Sequence, residues 1–112
     1  MFGKLFGRDG GSSDLTGYDD LRRMLDAGEC VLVDVREPAE FAAGRAPGAQ
    51  NLPLSRFDPA QLPREKKVVL ICKAGGRSAQ ALAAARGAGR ADITHFAGGM
   101  GLWQSLGGPV TR

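Results

Sequence analysis

Cys72 is one of two cysteines in this 112-residue chain, and its neighbours are of the kind that make a thiol a nucleophile. The apolar run Val68-Val69-Leu70-Ile71 leads into Cys72-Lys73-Ala74-Gly75-Gly76-Arg77, and the alanine-rich segment 78–85 follows, opening with Ser78. That pattern reads as a buried strand ending in a thiol, a tight loop, and the start of a helix. Gly75 and Gly76 let the backbone turn its N–H groups inward, forming a nest of donors that favours negative charge. The positive end of the helix dipole and the formal charges of Lys73 and Arg77 act in the same direction, so three effects lower the thiol pKa together. Free cysteine titrates near ~8.5 and comparable settings bring it to roughly 3.5–7.5, so Cys72 is expected to be largely ionised at neutral pH. A small buried hydrophobe is the commoner role for a cysteine closing a core strand. The Gly-Gly-Arg-Ser that follows argues against it here.

The elements that must position this thiol are legible from apolar patterning. Val31-Leu32-Val33-Asp34-Val35 is apolar except for Asp34, and an apolar run of strand length suggests a strand covered on both faces, as in a parallel sheet with helices on each side. Further strands are read at 49–52, 67–72 and 93–96. Helices are read at 37–43, with Pro38 in the first turn, at 78–87 and at 100–106. Thr16 followed by Asp19 resembles a capping box opening a helix through Leu21, Met24 and Leu25 toward Gly28. Strands alternating with helices imply an α/β domain with right-handed crossovers. In such domains ligands sit outside the carboxyl ends of the strands, the edge where Asp34 and Cys72 both fall. Cys30 begins its strand while Cys72 ends another; on parallel neighbours the two thiols would lie roughly 13–17 Å apart at about 3.3 Å per residue. That exceeds disulfide reach, so Cys30 reads as a buried structural residue.

Composition bounds the rest. At this length the chain is one domain with a core of its own. Hydrophobic residues make up 43 % and charged residues 24 %, which excludes a disordered or fibrous class. The formal charge is +3, but the fifteen Lys and Arg are spread along the chain, so a nucleic-acid partner is not expected, whereas a small anionic substrate fits. No stretch approaches the ~18 apolar residues of a membrane span, and the start of the chain lacks the apolar core of a signal peptide. No membrane partner is expected, and cytoplasmic residence suits a reduced thiol. Residues 1–13, rich in Gly and Ser with Phe2, Leu5 and Phe6 as anchors, read as a flexible leader before a domain at 14–112.

Four blocks in order carry a resemblance. The first is Val33-Asp34-Val35-Arg36-Glu37 with Glu40-Phe41, and the second is Gly44-Arg45-Ala46-Pro47-Gly48-Ala49-Gln50-Asn51-Leu52-Pro53. The third is the loop from Cys72 to Ser78. The fourth is Gly98-Gly99-Met100-Gly101-Leu102-Trp103 with Gly108-Pro109. Over residues 15–110 these resemble the signatures of a rhodanese-like domain of the single-domain thiosulfate sulfurtransferase family. The resemblance implies a three-layer α/β fold with a mostly parallel central sheet of about five strands and helices on both faces. The chain departs from the family at Arg45 and Ala46, where a histidine and an isoleucine are usual, so no imidazole role carries over there.

The resemblance also implies a reaction. Cys72 as catalytic thiolate attacks the sulfane sulfur of a donor such as thiosulfate, and a thiophilic acceptor, cyanide or a cellular thiol, removes it from the resulting persulfide. The backbone N–H groups of Ala74, Gly75, Gly76, Arg77 and Ser78 would hold the persulfide. Arg77 would brace the loop and help bind the donor, and Lys73 at the rim would hold the sulfite end. Such a displacement calls for no cofactor and no metal. The loop has six residues from cysteine to closing residue, as in sulfur-handling rhodaneses, where the related phosphatases and arsenate reductases have seven, which disfavours a thiol phosphatase. The competing reading is a non-catalytic or protein-specific persulfide relay, with a protein as sulfur acceptor. A monomer is expected, with a homodimer as the alternative. Asp34 and Arg36 read as supporting residues, the carboxylate fixing the loop and pairing with an arginine. His95 reads as a satisfied strand residue without a catalytic role, and Trp103 as core.

Overall fold

The computed structural model describes residues 14–112; the expected leader, with Phe2, Leu5 and Phe6, lies outside the described residues. In chain order the elements are α1 (Tyr18–Asp26), β1 (Cys30–Asp34), α2 (Pro38–Ala43), β2 (Gln50–Asn51), β3 (Lys67–Ile71), α3 (Gly76–Gly87), β4 (Thr94–His95) and α4 (Gly99–Ser105). Two 3-10 turns, Leu54–Arg56 and Pro59–Gln61, lie between β2 and β3. The strands pair parallel in the order β2-β1-β3-β4. Four strands therefore stand where about five were expected. Beyond β4, Leu15 makes a single parallel bridge to His95.

Alternation along the strands sends apolar side chains to both faces, as the unbroken runs implied. Cys30 and Leu32 of β1 join Val69 and Ile71 of β3 in a core with Leu21 and Met24 of α1 and Met100 and Trp103 of α4. Val33 and Val35 join Val68, Leu70 and Cys72 on the opposite face, beneath Ala81, Leu82 and Ala85 of α3. Val68, Val69, Leu70 and Ile71 are all fully buried, each such side chain contributing roughly 1.5–3 kcal/mol by removal from water. Ser78, Ala81, Leu82 and Ala85 form the buried stripe of α3, and its small side chains bring the helix backbone close to β3. Trp103 is core, as read: its ring meets Tyr18 edge-on at 5.5 Å and its Nε1 donates to the Pro109 carbonyl at 2.7 Å.

The start of α1 differs from the expectation. Gly17 is the N-cap and no side chain caps the helix. Thr16 instead turns its hydroxyl inward to Thr94 at 2.6 Å, while its N–H donates to the His95 carbonyl at 3.1 Å. A buried hydroxyl must find a partner, and the sheet edge offers one that the helix terminus does not. The box motif occurs at α2 instead, where Glu37 is the N-cap and Glu40 the N3 residue, with reciprocal bonds. Among the described residues no helix is long and apolar enough to cross a membrane.

From β1 the chain moves first to β2 on one side and then to β3 on the other. The switch in direction lies between β1 and β3, and a crevice opens at the carboxyl ends of strands at such a point. Asp34 closes β1 and pairs in register with Ile71, and Cys72 is the next residue after Ile71 at the same edge of the sheet.

Candidate active site

Cys72 is 1 % exposed and lies on the α3 face of the sheet. After it the chain turns through exposed Lys73 and Ala74 to Gly75, the N-cap of α3. Gly75 adopts φ 102°, and a Cβ there would overlap the Ala97 carbonyl oxygen, so both conformation and space require glycine. This turn aims the Gly75 N–H at Cys72 Sγ at 3.1 Å. Ser78, in the first turn of α3, brings Oγ to 3.5 Å from the same sulfur. On the far side of the loop the first turn of α4 takes its carbonyls: Met100 N–H donates to Cys72 O at 2.8 Å and Gly101 N–H to Lys73 O at 3.1 Å. Gly99, at φ 65°, makes that approach possible, because a Cβ there would run into the Lys73 carbonyl. With the carbonyls drawn outward to α4, the N–H groups are left to face the sulfur.

Burial alone pushes the Cys72 thiol pKa up. The Ser78 hydroxyl and the backbone N–H groups of Ser78, Gly75 and Ala74 oppose it and prevail, so the pKa is lowered overall. Burial also pushes the Cys30 thiol up, and there it wins over the nearby Lys67. Both cysteines are free. Cys30 pairs in register with Lys67 at the amino end of β3, five residues before Cys72, and belongs to the opposite core. The sulfurs therefore stand apart as the sequence implied, and only Cys72 is set up as a thiolate.

Arg77 has an engagement beyond the one read from sequence. Its charge interacts with Cys72, as expected. It also forms a two-point ion pair with Glu40 of α2, Nη1 to Oε1 at 2.6 Å and Nη2 to Oε2 at 3.0 Å. Glu40 Oε1 also accepts from the Glu37 N–H at 3.1 Å. The pair ties the start of α3, and so the loop, to α2. Through this pair Arg77 braces the loop, using one N–H of each Nη. Glu40 was visible in the sequence only as part of the first block, and a partner 37 residues away leaves no local signal.

The Arg77 hydrogen bonds hold the Glu40 carboxyl down to about 2 from an ordinary 4.5. A depressed carboxyl pKa means that the stabilisation is complete above the ordinary value and is lost as pH falls toward the folded one. Wild type is thus expected to be more stable than Glu40→Gln above pH 4.5, the gap closing between pH 4.5 and 2. Both side chains are about one-third exposed, so the margin is modest. Thermal melts of the two proteins across that range provide the check, and a gap that does not change with pH would assign the effect to something other than this pair.

Asp34 and Arg36 form a buried unit. Asp34 is fully buried and accepts from Arg36 Nε at 3.0 Å, from Arg36 Nη2 at 2.8 Å and from the Arg36 N–H at 2.9 Å. Arg36 Nη2 also donates to the Gly44 carbonyl at 2.7 Å, and Asn51 Nδ2 bridges the carbonyls of Asp34 and Arg36 at 3.0 and 2.9 Å. These bonds clamp the exit of β1 to the second block, in line with a supporting role. Gly76 is the first residue of α3 with open space around it. Arg45 exchanges two backbone bonds with Thr111 and stacks its guanidinium 5.0 Å from the Phe41 ring, while Ala46 is buried, so the two departures from the family pattern serve packing. His95 lies closer to the sulfur site than the sequence implied: its Nδ1 is 2.8 Å from Ser78 Oγ. Only the register of β4 against β3, invisible in sequence, puts it there.

Comparison with known proteins agrees with this geometry. The Rhodanese-like domain family matches residues 18–106. The chain is 40 % identical over 94 residues to protein slr1261 of Synechocystis sp., covering 82 % of this chain and 52 % of the relative, so it spans about half the length of that relative. It is 32 % identical over 100 residues to the thiosulfate:glutathione sulfurtransferase of Homo sapiens, covering 75 % of this chain and 87 % of that protein. The solved structure of a rhodanese-related protein from Thermoplasma volcanium superimposes with a TM-score of 0.78 at 32 % identity, covering 88 % of this chain and 97 % of that one. With the family matched over most of its length, the chain belongs to the rhodanese-like domain family.

Proposed function

We propose that this domain is a sulfurtransferase that moves a sulfane sulfur from a small anionic donor such as thiosulfate, through a persulfide on Cys72, to a thiophilic acceptor. The observation that carries the reading is the Gly75 N–H aimed at Cys72 Sγ from 3.1 Å inside a ring of further donors. A thiolate there attacks the outer sulfur of the donor. A new S–S bond forms to Cys72, the donor's S–S bond breaks, and its electron pair leaves with sulfite. The negative charge then rests on the terminal sulfur of the persulfide, where prepositioned N–H dipoles stabilise it without reorganisation. A thiolate or cyanide acceptor attacks that terminal sulfur and returns Cys72 as thiolate. Lys73, which is exposed next to Cys72, would meet the sulfite end of the donor.

The name of the human relative supports a small thiol as acceptor. The buried position of Cys72 favours a slender donor, since a terminal sulfur can descend into the ring where a bulky group cannot. The direct test is the intact mass of the protein after thiosulfate and again after cyanide. The expected result is a gain of one sulfur that cyanide removes and that Cys72→Ser never shows. No gain from thiosulfate, with a gain from a persulfidated protein donor, would replace this reading by a protein-specific relay. Hydrolysis of an aryl phosphate that disappears in Cys72→Ser would replace it by a phosphatase.

A further inference from the structure

Ser78 has one hydroxyl proton and three neighbours able to accept it. Its Oγ lies 2.8 Å from His95 Nδ1, 3.2 Å from the Gly75 carbonyl oxygen and 3.5 Å from Cys72 Sγ. All three side chains are buried: Ser78 is 0 %, Cys72 1 % and His95 7 % exposed. The carbonyl only accepts, and so does a thiolate; an imidazole nitrogen donates or accepts according to where its proton sits. With a bare Nδ1, the Ser78 proton is drawn to the shortest contact, and the hydroxyl turns its lone pairs toward sulfur, which suits a thiol. With a protonated Nδ1, the imidazole donates to Ser78 Oγ and the hydroxyl proton is free to point at sulfur, which suits a thiolate. Only the second arrangement puts a donor on the sulfur once Cys72 has ionised, and the Gly75 carbonyl that the hydroxyl then gives up still accepts from the Ala79 N–H at 3.0 Å.

The fold builds this line of contacts deliberately in register. His95 pairs with Leu70, and Cys72 lies two residues beyond Leu70, so all three share the α3 face of the sheet. Ser78 enters from above in the first turn of α3. The charged groups near His95 are Asp14, before α1, and Arg86 of α3, which border the same shallow cavity and pair with each other at 2.6 Å. Burial lowers the His95 pKa, against a smaller upward pull from Asp14, so the ring is neutral at neutral pH and carries one proton.

We propose that His95 is a positioning residue of the sulfur site: its Nδ1–H donates to Ser78 Oγ and thereby directs the Ser78 hydroxyl proton onto the Cys72 thiolate. This rests on the reading of Cys72 as the sulfur-carrying thiolate. No proton leaves the imidazole; the ring fixes the sense of a hydrogen-bond chain that ends on sulfur.

The experiment is the ultraviolet titration of the Cys72 thiolate, obtained as the difference from Cys72→Ser, in wild type, Ser78→Ala, His95→Leu, His95→Asn, His95→Asp and the Ser78→Ala/His95→Leu double variant. Ser78→Ala and His95→Leu are each expected to raise the thiolate pKa by about one unit, the size of a lost hydrogen bond to a charged group. Asn at 95 can donate an N–H and is expected to restore most of that shift, whereas Asp only accepts and does not. The double variant is expected to match Ser78→Ala alone, because His95 acts through Ser78. Equal shifts for Asn and Leu in folded proteins, an unshifted His95→Leu, or additive shifts in the double variant would each overturn the proposal. The titration needs no sulfur donor, so a wild type that gains no sulfur from thiosulfate would sink the activity and leave this arrangement standing.

Discussion

Cys72→Ser is expected to reduce sulfur transfer from thiosulfate to cyanide to background, a loss on the order of 10⁴-fold or more, as when a nucleophile that works with its surroundings as one unit is removed. The reaction needs an ionised, polarisable sulfur. The ring of donors around Cys72 lowers the thiol pKa, but a serine hydroxyl starts too high for the same donors to ionise it. The fold is expected to survive, because the serine Oγ can still accept from the Gly75 N–H and meet Ser78 Oγ where Sγ does now. Transfer rates and thermal melts of wild type and variant decide the matter together. A variant that melts like wild type and still transfers near the wild-type rate would remove Cys72 from the mechanism. Loss of both rate and fold would show instead that the buried thiol is a packing element.

Gly75→Val is the second change with a large expected effect. At φ 102° a β-branched residue is strained by about 1–3 kcal/mol from the backbone alone. Its Cβ would in addition overlap the Ala97 carbonyl, which is backbone and cannot swing aside. The loop must then open, and the Gly75 N–H leaves the sulfur. Removing one such prepositioned donor is worth about 10²–10³ in rate. The expected result is a fall in sulfur transfer of about that size together with a lower melting temperature. Gly76→Ala is the control, since Gly76 is helical with nothing near its missing Cβ. It is expected to keep activity and to gain about 0.4–1 kcal/mol through a stiffer unfolded chain. Equal damage from the two substitutions would mean that the loop tolerates no side chain for some reason other than φ and the Ala97 contact. The sequence suggested that both glycines were needed for the turn; the structure separates them.

Much of the arrangement could be read in advance because it is written in local patterns. Val31 to Val35 and Val68 to Ile71 are apolar without alternation, and that alone implies strands covered on both faces, as the two cores beside β1 and β3 show. The Cys-to-Ser loop between a buried strand and an alanine-rich helix located the thiol and its donors. Asp34 and Arg36 are two residues apart, close enough for their pairing to be inferred. What failed to appear was of a different kind. Glu40 meets Arg77 across 37 residues, Thr16 meets Thr94 across 78, and α4 takes the carbonyls of Cys72 and Lys73 with N–H groups that carry no sequence signal. The capping box read at Thr16 was a local pattern overruled by a long-range hydrogen bond.

The sequence by itself determined the order of elements, the edge of the sheet where chemistry can occur, and which thiol is proposed as the nucleophile. Each follows from residue types within one turn or one strand, over which propensity, patterning and backbone freedom act directly. The tertiary structure alone decided which charge Arg77 meets, which glycine of the pair is indispensable, and that His95 stands behind Ser78. Those depend on strand register and helix packing, in which side chains far apart in the chain are placed within 3 Å by the burial of everything between them.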